Sequence, residues 1–267
     1  MTVTNVLGAE TQAASSIAAA YPERSFNFVS DQRVIDGWDL PNVVFRHADP
    51  ASWDHSPSDI AVCPRWASDP GRHAQSRLVP ELSRHFPEYF PPLLGELPDT
   101  GRWIAKGDCW HRPDAPLSGT PEMLQDVVAP AGCGLVYQPL LPVTKRFAAI
   151  GHRGDDGVSL GILEILQERF FRDAILQAAE TVHRPELADL SLAMVDKLDH
   201  DGYFTLSWLE TAEGFYLSSF RPVPRAVFGT FRRAGVDLLK APRGTTICPA
   251  GFRFVGWPHY SSYGEPA

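Results

Sequence analysis

The sequence predicts an α+β protein of several lobes, with two α/β lobes around a cleft and a shorter α/β lobe before them. Apolar runs bounded by turn-forming residues fill the first ninety positions, prolines cluster near residue 90, and paired strands follow from residue 101. A chain of 267 residues with 44% hydrophobic composition is long enough for such an architecture. We expect a small N-terminal lobe over residues 1–90, the two cleft lobes over 91–245, and an aromatic tail over 246–267 packed on the second lobe.

Charge and hydropathy exclude several classes of protein. The formal net charge of −8 provides no electrostatic footprint for nucleic acid or for an anionic membrane surface. No apolar run reaches the roughly 20 residues that a membrane-spanning helix needs. The four cysteines include no CxxC pair, and the first residues do not resemble a secretory signal. We therefore expect a cytoplasmic protein with no nucleic-acid partner and no membrane association.

The N-terminal region alternates short strands with helices. The alanine-rich segment Gln12–Ala20 predicts a helix, and the spacing of apolar residues predicts another over Arg72–His85, which Pro87 would end. Short apolar runs predict three strands, at Phe26–Val29, Val43–Phe45 and Ile60–Cys63.

From Gly101 the sequence favours strand pairs. A strand over Trp103–Lys106 ends in lysine and is followed by a polar loop. A second strand covers Gly134–Pro142. The runs Lys145–Gly151 and Val158–Leu163 predict a hairpin whose turn is His152–Gly157.

The last third of the chain predicts a helix, a strand pair and a second helix. Broad apolar spacing over Glu186–Leu198 indicates the first helix, which Gly202 ends. Two strands follow, Tyr203–Leu209 and Phe215–Phe220, joined by an acidic turn. A final helix covers Ala226–Ala234.

This order of elements, over roughly residues 87–239, resembles the ATP-grasp superfamily, which includes carboxylate–amine ligases such as D-alanine–D-alanine ligase. The resemblance implies an ATP-grasp-like fold with a nucleotide cleft and ATP as the expected cofactor. It places Lys106 near the α and β phosphates. It also places the strand with Tyr137, Gln138 and Leu140 along the adenine edge, where that strand would supply backbone hydrogen bonds.

The resemblance further assigns a basic residue facing the phosphates to Lys145 or Arg146. Because neighbouring residues of a strand point to opposite faces, at most one of these two side chains can face the cleft.

The strand pair Tyr203–Leu209 and Phe215–Phe220 lacks the family's metal-binding carboxylates. The resemblance puts Ser207 and Ser219 at the acidic positions and Arg221 at the position of an asparagine. Hydroxyl groups are poor ligands for magnesium, which prefers charged oxygens in octahedral geometry. We therefore expect no ordinary magnesium coordination and assign no metal-ligating residue.

Arg221 has two interpretations in this arrangement. Its guanidinium either neutralises a phosphate or carboxylate directly, or pairs with Glu210 or Glu213 on the adjacent turn. The pair Cys109 and His111 lacks a third catalytic partner at a recognisable spacing. His152 with Asp155 and Asp156 could bind a metal, but this glycine-rich, acidic segment is interpreted as a solvated turn.

Two functions follow from the resemblance. The first is a degenerate ATP-grasp protein, atypical or non-catalytic in its use of nucleotide, that acts as a binding or partner subunit, with a homodimer or another protein as partner. The alternative is an ATP-dependent carboxylate–amine ligase that forms an acyl phosphate from a small-molecule carboxylate and an amine. In the alternative, Arg146 and Arg221 would be catalytic and would replace the metal.

Overall fold

The computed structural model describes most of the chain from residue 75 onward and shorter stretches before it. The described residues are 3–7, 17–29, 42–44, 60–61, 75–107, 118–125, 135–154, 156–170, 175–221, 227–239 and 243–256. Within these ranges the strands form three separate sheets.

The first sheet is parallel and belongs to the N-terminal region. Its strand order is β2-β1-β3-β4, and the strands are β1 (Val3–Leu7), β2 (Ser25–Val29), β3 (Asn42–Val44) and β4 (Ile60–Ala61). The three strands predicted here are confirmed over their described residues, whereas Phe45 and residues 62–63 of the predicted ranges lie outside the described part of the chain. β1 was not predicted, because Thr4 and Asn5 interrupt its apolar run. Residues 17–20 are helical, and the rest of the helix predicted over Gln12–Ala20 lies outside the described residues.

A helix, α1 (Gln75–His85), and a 3₁₀ turn at Pro87–Tyr89 lead to the second sheet. This small antiparallel sheet has the order β6-β5-β7. Its strands are β5 (Trp103–Gly107), β6 (Ser118–Gly119) and β7 (Leu135–Pro139), with the short helix α2 (Pro121–Leu124) between β6 and β7. The predicted strand over Gly134–Pro142 is thus shorter in the structure and ends at Pro139.

The third sheet is the largest, with the strand order β12-β11-β8-β9-β10-β14 and with β13 parallel to the first part of β9. Its strands are β8 (Lys145–Gly154), β9 (Gly157–Phe170), β10 (Ile175–Thr181), β11 (Gly202–Thr211), β12 (Gly214–Arg221), β13 (Gly244–Ile247) and β14 (Arg253–Gly256). The predicted turn at His152–Gly157 is wrong in extent. His152 is a buried strand residue that pairs with Tyr203 and Ser159, so β8 continues to Gly154.

The two faces of the large sheet have different coverings. One face packs against helix α3 (Pro185–Lys197) and carries Trp208 and Leu206; we call it the α3 face. The other face, which we call the serine face, carries Ser207 and Ser219. It is covered at one end by helix α4 (Phe228–Arg233) and residues 17–21. No helix in the described ranges is both long and apolar enough to cross a bilayer.

Candidate functional site

Ser207 and Ser219 lie directly opposite each other on β11 and β12. Alternation along β11 buries Leu206 and Trp208 in the core under α3, so Ser207 points to the opposite face. The register shifts immediately after this pair, which leaves Ser218 as a bulged residue. The two positions assigned to metal-binding acids therefore do share one face, and their donor set is a pair of uncharged hydroxyls. That donor set does not fit a magnesium ion.

The side chains of Arg146 and Lys145 lie on opposite faces of the large sheet. Arg146 alternates with Ala148 and Ile150, which belong to the core of the serine face, whereas Lys145 alternates with Phe147 on the α3 face. Ala148 pairs with Ser207, so Arg146 is the diagonal neighbour of Ser207, with Cα atoms on the order of 7–8 Å apart. Of the two basic candidates, Arg146 is the one that lies on the serine face.

Each of these two basic side chains has a carboxylate partner. The Nζ atom of Lys145 lies 2.8 Å from Oε1 of Glu164. The Nη1 atom of Arg146 donates to Oε2 of Glu168 at 2.7 Å. Oε1 of Glu168 in turn accepts a 2.6 Å hydrogen bond from Nε2 of Gln177, which is buried on β10. Glu168 and Gln177 could not be recognised from the sequence, because they lie 22 and 31 residues after Arg146 and meet it only through the strand register.

On the small sheet, Gln138 is a buried polar residue with an unused amide. Its side chain is 2% exposed, and its Nε2 atom has no hydrogen-bond partner among the described residues. A buried polar atom without a partner costs about 1–3 kcal/mol, so this amide fits a hydrogen-bonding ligand such as the edge of a nucleobase.

The backbone groups near Gln138 are already bonded within the protein. The N–H and C=O of Tyr137 bond to Leu94, at 2.8 and 2.9 Å, and the N–H of Leu140 donates to the carbonyl of Arg102 at 2.8 Å. Leu140 itself lies just beyond β7 and is 37% exposed. The Gln138 side chain is therefore a stronger candidate for ligand recognition than these main-chain groups.

For Lys106 and Arg221 the structure describes the main chain only. Lys106 pairs with Val136 in the small sheet, and Arg221 pairs with Thr205 at the end of β12. Of the two acids considered as partners for Arg221, Glu210 is bonded to Arg184 at 3.1 Å and Glu213 accepts from the hydroxyl of Tyr216. The candidates Cys109, His111 and Asp155 lie outside the described residues.

Two neutral histidines lie in the interior of the large sheet. Burial lowers the pKa of His152 to about 4, and its ring stacks at a tilt on that of Tyr203, with centroids 4.6 Å apart. Burial also lowers the pKa of His200 to about 3, although a 2.8 Å hydrogen bond from its Nε2 to the carbonyl of Tyr203 opposes the shift. The nearby positive charge of Arg153 adds to the lowering. The interpretation of His152 as part of a solvated turn is therefore wrong, and both rings are buried core groups.

Solved structures share this arrangement of sheets. N5-carboxyaminoimidazole synthetase from Staphylococcus aureus complexed with ADP aligns with a TM-score of 0.62 and 10% identity, over 91% of this chain and 79% of that one. The Aspergillus clavatus synthase in complex with ADP and 5-aminoimidazole ribonucleotide aligns with a TM-score of 0.59 and 13% identity, over 90% and 75%. D-alanine–D-alanine ligase from Bacillus anthracis aligns with a TM-score of 0.59 and 11% identity, over 90% and 94%.

These alignments show the fold. The chain has the ATP-grasp fold over most of its length, and the ATP-grasp-like α+β prediction is confirmed. A scan against protein-family models finds no match, and neither does a search of curated proteins.

Proposed function

We propose that this protein binds an adenine nucleotide in an ATP-grasp cleft without ordinary magnesium coordination, and that it acts as a binding or partner subunit. The observation that carries the proposal is the opposed pair of Ser207 and Ser219 at the two positions that the family resemblance assigns to metal-binding acids. Without charged oxygens there, the cleft lacks the ligands that would hold magnesium against a triphosphate.

Nucleotide binding itself is supported by the small sheet and by similar structures. Gln138 carries a buried amide nitrogen with no partner in the described ranges, and a nucleobase edge offers the acceptor that it lacks. Similar solved structures contain ADP or ATP. In this proposal Gln138 binds the base, Lys106 contributes charge near the phosphates, and Arg146 faces the phosphate end of the ligand.

A second candidate function is an ATP-dependent carboxylate–amine ligase, and the position of Arg146 favours it. The γ-phosphoryl group of ATP would pass to a substrate carboxylate and release ADP. An amine would then attack the acyl phosphate, forming the amide and releasing phosphate. Arg146 and Arg221 would bind the phosphoryl oxygens, and their fixed charge would have to supply the several kcal/mol that a metal ion otherwise provides. Because that compensation is large, the binding function is preferred.

Replacing Gln138 by leucine tests nucleotide binding. Gln138→Leu removes the unpaired amide while preserving side-chain volume, so the unliganded protein should gain about 1–2 kcal/mol of unfolding free energy. Adenosine and ADP should both bind at least tenfold more weakly in calorimetry. Gln125→Leu, which makes the same change at an exposed position, should alter neither property. Unchanged nucleotide affinity in Gln138→Leu would remove Gln138 from the site, and an absence of adenosine and ADP binding in the wild type would overturn the proposed function.

A further inference from the structure

A chain of three polar side chains crosses three adjacent strands on the serine face. Gln177 on β10 donates to Glu168 on β9, and Arg146 on β8 donates to the other oxygen of the same carboxylate. We call these three residues the Arg146 relay. Its inner end is buried, since Gln177 is 1% exposed, whereas the side chain of Arg146 is 52% exposed.

A β-bulge is what brings Glu168 to this face. Along β9, Leu160 and Ile162 belong to the α3 face, and uninterrupted alternation would put Glu168 there as well. The pairing of β9 with β10 shifts by one residue, so that Ala179 pairs with Ile165 but Ala178 pairs with Gln167. Leu166 is the extra residue, and the side chains after it change faces.

Both oxygens of Glu168 are committed to protein donors, one to Gln177 and one to Arg146. Ligating a cation through this carboxylate would break both bonds, each of which involves a charged group. The arrangement therefore fits a carboxylate that holds an arginine in place.

The guanidinium of Arg146 retains free donor capacity. Its bond to Glu168 uses Nη1, and its other N–H groups donate to no acceptor within the described part of the chain. A guanidinium fixed on one side by a carboxylate and open on the other can donate two parallel hydrogen bonds to an oxyanion.

We propose that the Arg146 relay is a preorganised, metal-independent subsite for an oxyanion, namely the phosphate end of the nucleotide, with Glu168 and Gln177 as positioning residues. This inference rests on the proposed function, since it assigns the residue that binds the anionic part of the same ligand. Arg146 contacts the ligand. Glu168 fixes the direction of the guanidinium, and the buried Gln177 fixes Glu168.

The test measures how much the phosphates of ADP add to binding. Calorimetry in EDTA gives the ratio of the ADP affinity to the adenosine affinity for the wild type and for Arg146→Gln, Glu168→Ala and Glu168→Gln. A structural role alone would not change this ratio. Glu180→Gln is the matched control, because it neutralises a carboxylate paired with Arg253 at 3.1 Å on the neighbouring strand.

We expect Arg146→Gln to lower the ratio roughly tenfold or more, the size expected for a charge-assisted hydrogen bond. Glu168→Ala should lower it several-fold, and Glu168→Gln should restore most of the loss because its amide oxygen still accepts from Arg146. Glu180→Gln should match the wild type. An unchanged ratio in Arg146→Gln would overturn the subsite. An unchanged or higher ratio in Glu168→Ala would overturn the positioning role. Arg146 is half-exposed, so its variant remains informative even if Glu168→Ala does not fold.

Inorganic pyrophosphate separates this inference from the proposed function. If the wild type binds pyrophosphate through Arg146 but binds neither adenosine nor ADP, the oxyanion subsite stands, whereas its assignment to a nucleotide fails together with the proposed function. If adenosine and ADP bind equally well and pyrophosphate does not bind, the subsite is overturned while nucleoside binding stands. If none of the three binds, both are overturned.

Discussion

Replacing the two buried histidines should remove most of the acid sensitivity of the fold. His152 and His200 are 3% and 0% exposed, and burial lowers their pKa values to about 4 and about 3. The unfolded chain titrates near the ordinary value of about 6.5. The unfolded state therefore binds protons first as the pH falls, so stability is complete above about pH 7 and decreases toward the folded-state values.

The size of the loss follows from these pKa values. Between pH 8 and pH 5, each histidine should cost on the order of 2 kcal/mol of unfolding free energy, from 1.36 kcal/mol per pKa unit. Together the two residues account for about 4 kcal/mol, a large fraction of the 5–15 kcal/mol typical of a folded domain.

Urea denaturation at half-unit intervals from pH 5 to pH 8 measures this loss. His152→Gln should remove about half of the decrease in stability, and the double variant His152→Gln, His200→Gln should remove most of it. The difference between each variant and the wild type isolates the histidines from other titrating groups. A wild-type unfolding free energy that stays constant down to pH 5, or a double variant that retains the full decrease, would refute the assignment of neutral, buried histidines.

Two further predictions concern the core beneath α4. Gly161→Ala should destabilise the protein by about 1–3 kcal/mol in urea denaturation, because its Cβ would lie 2.5 Å from Cζ of Phe231. Gly229 lies in α4, and a Cβ added there would lie 4.0 Å from Cβ of Ala20. Gly229→Ala should therefore leave the unfolding free energy unchanged or raise it by up to about 1 kcal/mol. Equal losses of unfolding free energy in the two variants would contradict this packing. Burial raises the pKa of Cys248 to about 12, so its thiol should resist alkylation at pH 8 in the native state and react in urea. Rapid native labelling of the peptide that contains Cys248, detected by mass spectrometry, would contradict that burial.

The paired strands that form the candidate site could be predicted from sequence because their pattern is local. β11 alternates apolar and polar residues over Phe204–Trp208, β12 is rich in aromatic residues, and a glycine-containing turn joins them, so both strands were placed within two residues of their observed ends. Uninterrupted pairing from that turn would put Ser218 opposite Ser207, and only the bulge at Ser218 brings Ser219 there. The extent of β8 was not predictable in this way, because His152 and Arg153 have turn-like polarity and become strand residues only through burial beside Tyr203.

The Arg146 relay depends on information that the local pattern does not contain. Strict alternation along β9 predicts the wrong face for Glu168, and only the bulge at Leu166 corrects it. The unpaired amide of Gln138 likewise depends on which atoms other parts of the chain bring near it. Arg146 and Gln138 could be named as candidates from the sequence. The pairing of Arg146 with Glu168 and the unpaired amide of Gln138 became visible only in the three-dimensional structure.

The metal dependence of ADP binding tests the central claim most directly. Calorimetric titration of the wild type with ADP, once in EDTA and once in millimolar magnesium, compares the two conditions on the same protein. Because Ser207 and Ser219 offer no charged oxygen, we expect ADP to bind at least as tightly in EDTA as in magnesium. ADP binding that strengthens tenfold or more on addition of magnesium would contradict a metal-independent cleft.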